Sequence, residues 1–237
     1  MMKIANGIAV LELEMNAGRQ FVIHPTLLWD EENVVLIDTG MPGQFAALRE
    51  AVEKEGVVFD RLNRIILTHQ DIDHIGGLTA ILRASDHKID VLAHKDDQPY
   101  IEGKKPLIKM TPERMAQLLQ AVPESDRKIT HKVDQTLVDG DVLPFAGGIT
   151  VIATPGHTPG HISLYHQPSK TLIAGDAMIV ADGQLSGPNP AVTPDMDTAL
   201  ASLRKLAAYD IETVVCCHGG IYRGDVNARI QALTEGR

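Results

Sequence analysis

Thr68-His69-Gln70-Asp71-Ile72-Asp73-His74 is the stretch of this chain that decides the fold. Four side chains able to bind a metal lie within six positions, directly after an apolar run at 64–67 that is typical of a buried strand. His69 and Asp71 are two residues apart, so an extended chain points both to one side, whereas the adjacent Asp73 and His74 diverge. One loop can therefore present ligands in two directions, which is enough for two metal ions.

Three more candidate ligands each follow an apolar segment and have glycine nearby. They are His157 within Thr154-Pro155-Gly156-His157-Thr158-Pro159-Gly160-His161, Asp176 after Leu172-Ile173-Ala174-Gly175, and His218 after Val214-Val215-Cys216-Cys217. Any one alone could be the polar residue of a turn. Because ligand sites gather at strand ends in sheet-based folds, the four places together predict one metal site.

Apolar periodicity predicts an alternation of strands and helices. Strands are predicted at 8–13, 21–28, 34–38, 64–68, 89–93, 149–153, 162–166, 171–174 and 213–217. Helices are predicted from about 45 to 52, 75 to 82, 197 to 207 and 226 to 233. Strands and helices in both halves favour two sheets covered by helices.

The stretch from about 95 to 130 differs from the rest because it is polar and holds four of the 13 prolines. Thr111-Pro112 resembles a helix start, with Thr as the N-cap. We interpret the stretch as a flap inserted into a single domain spanning 1–237. Its lysines Lys104, Lys105 and Lys109 favour a solvated charged face, with attraction of an anionic substrate group as the alternative.

The composition of the chain disfavours some classes of binding partner and some cellular locations. The net charge of −9 disfavours binding to nucleic acid, which requires clustered Lys and Arg. The two cysteines, Cys216 and Cys217, are adjacent and suit no disulfide framework, which favours a reducing compartment. No apolar run has the length of a signal peptide core or a membrane span. We expect a cytoplasmic protein with a small-molecule substrate, no nucleic acid and no membrane; a homodimer is left open.

Other catalytic motifs are weaker. Gly156-His157-Thr158-Pro159-Gly160 has the outline of a nucleophile elbow, but Pro159 disfavours the helix that should follow. The sequence contains no His-Glu-x-x-His, P-loop or Gly-x-Gly-x-x-Gly pattern. We expect His161 to make a structural hydrogen bond and Cys217 to pack in a strand rather than bind metal.

The ligand set resembles the metallo-β-lactamase superfamily. His69, Asp73, His74, His157, Asp176 and His218 match its order and approximate spacing, and Asp38-Thr39-Gly40 matches its early Asp-x-Gly motif. The resemblance runs from about Asn6 to His218 and implies a four-layer αββα sandwich. The usual motif has His where this chain has Asp71. Two divalent ions are implied, with zinc expected; the harder carboxylate of Asp71 leaves iron or manganese open.

The resemblance also implies an assignment of ligands and a mechanism. One ion would take His69, Asp71 and His157, the other Asp73, His74 and His218, with Asp176 bridging. A hydroxide bridging the two ions would attack the substrate, and Asp73 would orient this nucleophile and carry its proton.

The chain lacks several features that accompany particular substrates in this superfamily, and these absences disfavour those substrates. A secreted β-lactamase should carry a signal peptide, and a glyoxalase-II-like thioesterase usually adds a C-terminal domain for which the 19 residues after His218 leave no room. Acyl-homoserine lactonases place Tyr shortly after the bridging Asp, where this chain has Ala177-Met178-Ile179. We expect hydrolysis of a small ester-, lactone-, thioester- or amide-like molecule. The alternatives are a di-iron redox protein of the same fold, because flavodiiron proteins also have a carboxylate in the second ligand place, and a binding module without turnover.

Overall fold

The computed structural model describes residues 2–16 and 20–235, whose strands form two large sheets and two hairpins. Strands and helices are numbered in chain order. The first sheet has seven strands in the order β1 (Met2–Ala5), β2 (Ile8–Val10), β5 (Thr26–Trp29), β6 (Val34–Ile37), β7 (Arg64–Leu67), β8 (Asp90–His94) and β9 (Gln135–Leu137). The second has six, in the order β10 (Val142–Leu143), β11 (Ile149–Ala153), β12 (Ile162–His166), β13 (Thr171–Gly175), β16 (Thr213–Cys216) and β17 (Gly220–Arg223). The hairpins are β3 (Leu13–Asn16) with β4 (Gln20–Ile23), and β14 (Ile179–Ala181) with β15 (Gln184–Ser186).

Helices cover the outer faces of both sheets. They are α1 (Phe45–Lys54), α2 (Ile72–Ile75), α3 (Leu78–Ala84), α4 (Gln98–Ile101), α5 (Pro112–Gln120), α6 (Met196–Leu203) and α7 (Val226–Glu235). Short 3-10 turns lie at Phe59–Arg61, Glu124–Asp126, Gln167–Ser169 and Arg204–Ala208. No helix among the described residues is both long and apolar enough to cross a membrane.

Three clusters of buried side chains separate the layers. The central cluster joins the inner faces of the two sheets, with Val35 and Ile66 from the first and Val151 and Leu164 from the second. A second cluster lies between the first sheet and helices α1 and α3. A third lies between the second sheet and helices α6 and α7. The predicted four-layer αββα sandwich is therefore confirmed.

The chain between residues 21 and 28, predicted as one strand, is divided into β4 and β5. Pro25 has no N–H to donate to a ladder, and its carbonyl accepts from Leu11 N at 2.9 Å. His24 N instead donates to Cys217 O at 3.1 Å. The prediction of a continuous strand was wrong because the chain changes pairing partners at His24-Pro25.

The helix predicted from residue 75 to 82 is also divided, and it begins earlier. Asp73 and His74 lie on the single turn α2 rather than in an extended loop, and α3 follows after Gly76-Gly77. A Cβ on Gly77 would lie 2.2 Å from Thr39 O, so only glycine allows this approach between the loop after β6 and the start of α3.

Strand direction brings the candidate ligands to one edge. Strands β6, β7 and β8 are parallel to one another, as are β13 and β16. The carboxyl ends of parallel strands meet at one edge of a sheet. Asp38 and the 69–74 segment follow β6 and β7, while Asp176 and His218 follow β13 and β16.

Candidate metal centre

The structure brings all seven predicted ligands together in two adjacent groups. In each group the potential ligand atoms lie within 4.8 Å of one another. The groups are His69, Asp71, His157 and Asp176, and Asp73, His74, Cys217 and His218. Asp176 joins them, because its Oδ2 lies 3.3 Å from Nε2 of His157 and 3.3 Å from Nε2 of His218.

Asp71 is the centre of the first group. Its Oδ2 lies 3.2 Å from His69 Nε2 and 3.0 Å from His157 Nε2. The same oxygen forms an ion pair with the Lys109 ammonium, which also lies 2.6 Å from His157 Nε2. In the second group, Asp73 Oδ2 lies 3.3 Å from His218 Nε2.

Hydrogen bonds outside the two groups fix the histidine rings. Asp38 Oδ2 accepts from His74 Nδ1 at 2.8 Å and from the Thr68 hydroxyl at 2.7 Å. The Thr68 hydroxyl in turn accepts from His69 Nδ1 at 3.0 Å. With Nδ1 engaged in this way, the Nε2 atoms of both rings point at the ligand groups, as metal-binding histidines require.

A buried aspartate, Asp97, joins the two loops that carry the first group. Its carboxylate accepts from Gln70 N at 2.9 Å, from the Thr158 hydroxyl at 2.7 Å and from Gly160 N at 2.8 Å. These contacts hold the segment after β7 against the turn after β11. Asp97 therefore sets the distance between His69 and His157.

Charges in the centre favour ionised carboxylates. Burial acts to raise the pKa of Asp71, Asp73 and Asp176, but neighbouring imidazolium charges and hydrogen bonds hold each pKa below its ordinary value. Burial lowers the pKa of His157, which favours its neutral form with a free lone pair. The pKa of His218, which burial alone would lower, is raised to about 11 by Asp176 and Asp73.

Buried polar atoms without partners test whether the residues suit a metal. Within the described part of the chain, His69 Nε2, His74 Nε2 and Asp176 Oδ1 are buried and make no hydrogen bond, although His69 Nε2 lies 3.2 Å from Asp71 Oδ2 and the other two lie 3.4 Å apart. Leaving a buried polar atom unsatisfied is costly, so such atoms are exceptional in folded proteins. Three of them converging in one cluster of imidazoles and carboxylates fit divalent cations, which use these ligand types.

Two neighbouring residues bear on expectations from the sequence. His161 is fully buried; its Nδ1 lies 2.8 Å from the Thr154 hydroxyl and its Nε2 accepts from Asp176 N at 2.9 Å. Both ring nitrogens are thus in structural hydrogen bonds, as expected. Cys217 is buried and its thiol lies within the second ligand group, although burial raises the pKa of that thiol.

A cleft opens beside the centre. A cavity of about 620 Å³ is lined by His157, Asp176 and His218 on one side. Its other lining residues are mainly apolar: Val22, His24, Ile179, Val180, Asn189, Val192 and Gly219. A second cavity of about 180 Å³ reaches Asp71, Asp73 and Lys109.

Several residues of the centre were missed at the level of sequence. His24 has no ligand-like spacing in the sequence, yet it lines the cleft, held by a contact of 2.8 Å between its Nδ1 and Cys217 O. Thr193 lies 3.1 Å from His157 Nδ1, and Asp97 joins the loops as described. Lys109 was assigned to a solvated face, but only 20% of its side chain is exposed. No local motif marks these residues; each reaches the centre from a distant part of the chain.

Comparison with known proteins gives a consistent family. The family model described as "Metallo-beta-lactamase superfamily" matches residues 18–218. A probable metallo-hydrolase of Bacillus subtilis (strain 168), YflN, is 36% identical over 231 residues, which cover 91% of this chain and 84% of that protein. A hydroxyacylglutathione hydrolase of Enterobacter sp. (strain 638) is 28% identical over 189 residues, covering 79% of this chain and 57% of that protein.

Solved structures agree at the level of the fold. A metallo-beta-lactamase family protein of Thermus thermophilus, TTHA1429, superimposes with a TM-score of 0.74 at 25% identity, covering 99% of this chain and 80% of that one. BJP-1, a subclass B3 metallo-beta-lactamase of Bradyrhizobium japonicum, superimposes with a TM-score of 0.69 at 19% identity, covering 99% and 90%.

Proposed function

The chain belongs to the metallo-beta-lactamase superfamily, and on that premise we propose that it is a dinuclear metal-dependent hydrolase of small molecules. The observation that carries the proposal is the position of Asp176 between the two ligand groups. Its Oδ2 is equally distant, at 3.3 Å, from Nε2 of His157 and of His218. One carboxylate shared by two sets of ligands suits a bridge between two cations.

The proposed assignment gives each cation its own ligands. His69, Asp71 and His157 would hold one, Asp73, His74 and His218 the other, with Asp176 between them. Two divalent cations would supply hydroxide near neutral pH and a Lewis acid for the acceptor oxygen of the substrate. Zinc is the proposed metal, with iron or manganese as the alternatives that Asp71 leaves open.

Asp73 is the proposed catalytic residue. Its side chain is 19% exposed and lines the smaller cavity, so it is accessible to a water that enters there. Its pKa is lowered, chiefly by His74 against the effect of burial, so the carboxylate is ionised and can accept a hydrogen bond from a water beside it.

The shape of the cleft supports a small substrate with an apolar part. A volume of about 620 Å³ falls within the range of small-molecule sites, and Val22, Ile179 and Val180 form an apolar part of the lining. We propose an ester, lactone, thioester or amide as the cleaved group. The hydroxyacylglutathione hydrolase relative favours a thioester among these.

The stretch from 95 to 130 is proposed to be a flap that forms a wall of the smaller cavity. Leu107 and Met110 line the smaller cavity, and Met115, Leu118 and Leu119 pack against the cluster under the first sheet. The flap is therefore anchored by apolar contacts while its residues 107–110 face the centre.

The experiment that tests this function is a hydrolysis screen on protein of known metal content. Lactone, thioester, β-lactam and phosphodiester probes are assayed before chelation, after chelation and after reloading with zinc. We expect turnover of a lactone or thioester probe that chelation abolishes and zinc restores. Turnover indifferent to chelation contradicts the proposal, and two irons with optical bands but no turnover favour the di-iron redox alternative.

Substituting Asp73 tests its role separately. At a zinc content matched to the wild type, Asp73→Asn is expected to lower kcat/KM by at least about 100-fold, because an amide cannot accept the proton. The matched control is Asp96→Asn, which changes an aspartate whose side chain is 54% exposed. Unchanged kcat/KM in Asp73→Asn contradicts the assignment.

A further inference from the structure

The side chain of Lys109 is held by several contacts and does not extend freely into solvent. Its ammonium forms an ion pair with Asp71 and lies within 3.2 Å of the backbone oxygens of His157 and Val192. The preceding residue is fixed as well, since Ile108 N donates to Gln70 Oε1 at 3.0 Å. These contacts hold the lysine beside the first ligand group.

The lysine contacts two members of that group. Its ammonium contacts Asp71 and His157, and among the described residues no ion pair joins it to Asp176, which lies between the two groups. Because Nε2 of His157 has one lone pair, the ammonium must leave that nitrogen when a cation binds there, while it can keep its ion pair with Asp71. A cation held there would have a fixed positive charge as its neighbour.

The ion pair between Lys109 and Asp71 changes the net charge of the first ligand group. In the usual motif of the family a neutral imidazole stands where this chain has Asp71, so Asp71 adds one negative charge to the centre. Lys109 adds one positive charge at the same carboxylate. The pair restores the net charge that a histidine would give.

We propose that Lys109 compensates the extra negative charge of Asp71, so that the two side chains act at the first cation site as one neutral unit, as a histidine would. This inference rests on the proposed metal centre. It assigns to the flap a part in metal binding, through the charge of Lys109 as well as through the walls of the cleft.

The test is a double-mutant cycle read out as zinc affinity, measured by competition with a chromophoric chelator. Lys109→Met removes the charge and keeps an unbranched chain, so zinc should bind at least about tenfold more tightly, because a positive neighbour is lost. Asp71→His leaves the lysine unpaired and should weaken zinc at least about tenfold. The double variant Asp71→His/Lys109→Met should return to within about threefold of the wild type.

Two controls separate charge from structure. Lys109→Arg keeps the charge and should stay within about threefold of the wild type. Lys104→Met makes the same change of charge in the same flap, at a side chain that is 68% exposed and paired with Glu102, and should leave zinc affinity unchanged. Thermal melts of the metal-free variants check that each one folds.

The outcomes distinguish this inference from the proposed function. If the wild type binds no zinc, the proposed metal centre itself fails. If the wild type binds zinc but Lys109→Met binds it no more tightly, or if Asp71→His is as weak with Lys109→Met as without it, then Lys109 is only a structural tether and the inference is overturned.

Discussion

At the scale of single residues, Asp38 shows how a residue outside the two ligand groups orients the histidines within them. It follows β6 with a left-handed backbone (φ 62°), a conformation that costs free energy in a residue other than glycine. From there its carboxylate accepts from Thr68 N at 2.8 Å, from the Thr68 hydroxyl at 2.7 Å and from His74 Nδ1 at 2.8 Å. The strained conformation thus aligns the rings of His69 and His74.

We expect Asp38→Asn to weaken metal binding by about 10–100-fold. Asparagine tolerates the left-handed backbone, so the fold should persist. Its amide N–H groups would, however, face the hydroxyl of Thr68 and Nδ1 of His74, where the carboxylate accepts hydrogen bonds. Equilibrium zinc binding measures the loss; Asp60→Asn, at a carboxylate 66% exposed, is the control. Equal zinc affinity in wild type and Asp38→Asn would remove this role.

His166, which lies outside the two ligand groups, makes the stability of the fold depend on pH. Burial lowers its pKa, against the opposing hydrogen bond to Ala146 O at 2.6 Å. The folded state therefore takes up its proton at lower pH than the unfolded state, so this group makes the protein less stable as pH falls below the ordinary histidine value of about 6.5.

We predict that His166→Gln reduces the change in the free energy of unfolding with pH. Urea unfolding of both proteins, measured between pH 7.5 and 5 in the absence of metal, should show the wild type losing more stability than the variant as pH falls. Parallel curves for the two proteins would show that His166 is protonated equally in both states.

At the scale of elements, the junction between α2 and α3 determines the position of the segment at residues 69–74. Gly77→Ala would place a methyl group 2.2 Å from Thr39 O and should destabilise the fold by about 1–3 kcal/mol. Gly187→Ala, where the nearest atom is 3.8 Å away, is the matched control. Denaturant unfolding compares them, and equal stability of the two variants contradicts the packing described for this junction.

Local sequence was informative wherever an element carries its own ligands. His69, Asp176 and His218 were predicted because each follows an apolar strand, and strand direction then brings them together. Lys109 and Thr193 could not be found in this way, because they lie 48 and 36 residues from His157 and reach it only through tertiary packing.

Boundaries of elements were predicted less well than their existence. The division at His24-Pro25 follows from a change of pairing partner, and the division at Gly76-Gly77 follows from contact with the loop after β6. Both causes involve residues far away in the chain. The apolar pattern that predicts a strand or a helix contains no information about them.

At the scale of the whole molecule, two sheets with parallel strands at their centres bring ligands from both halves of the chain to a common edge. The first sheet contributes Asp71 and Asp73 through the segment after β7, and the second contributes Asp176 and His218. Neither half alone supplies both ligand groups. The cytoplasmic location and the homodimer, which concern the molecule as a whole, stay predictions.

The central claim is that seven side chains surround two cations with Asp176 between them. Anomalous diffraction from crystals of zinc-loaded protein tests it most directly, since it locates metals without reference to activity. We expect two peaks, one bounded by His69, Asp71 and His157 and the other by Asp73, His74 and His218. A single peak, or zinc bound only away from these residues, would contradict the account.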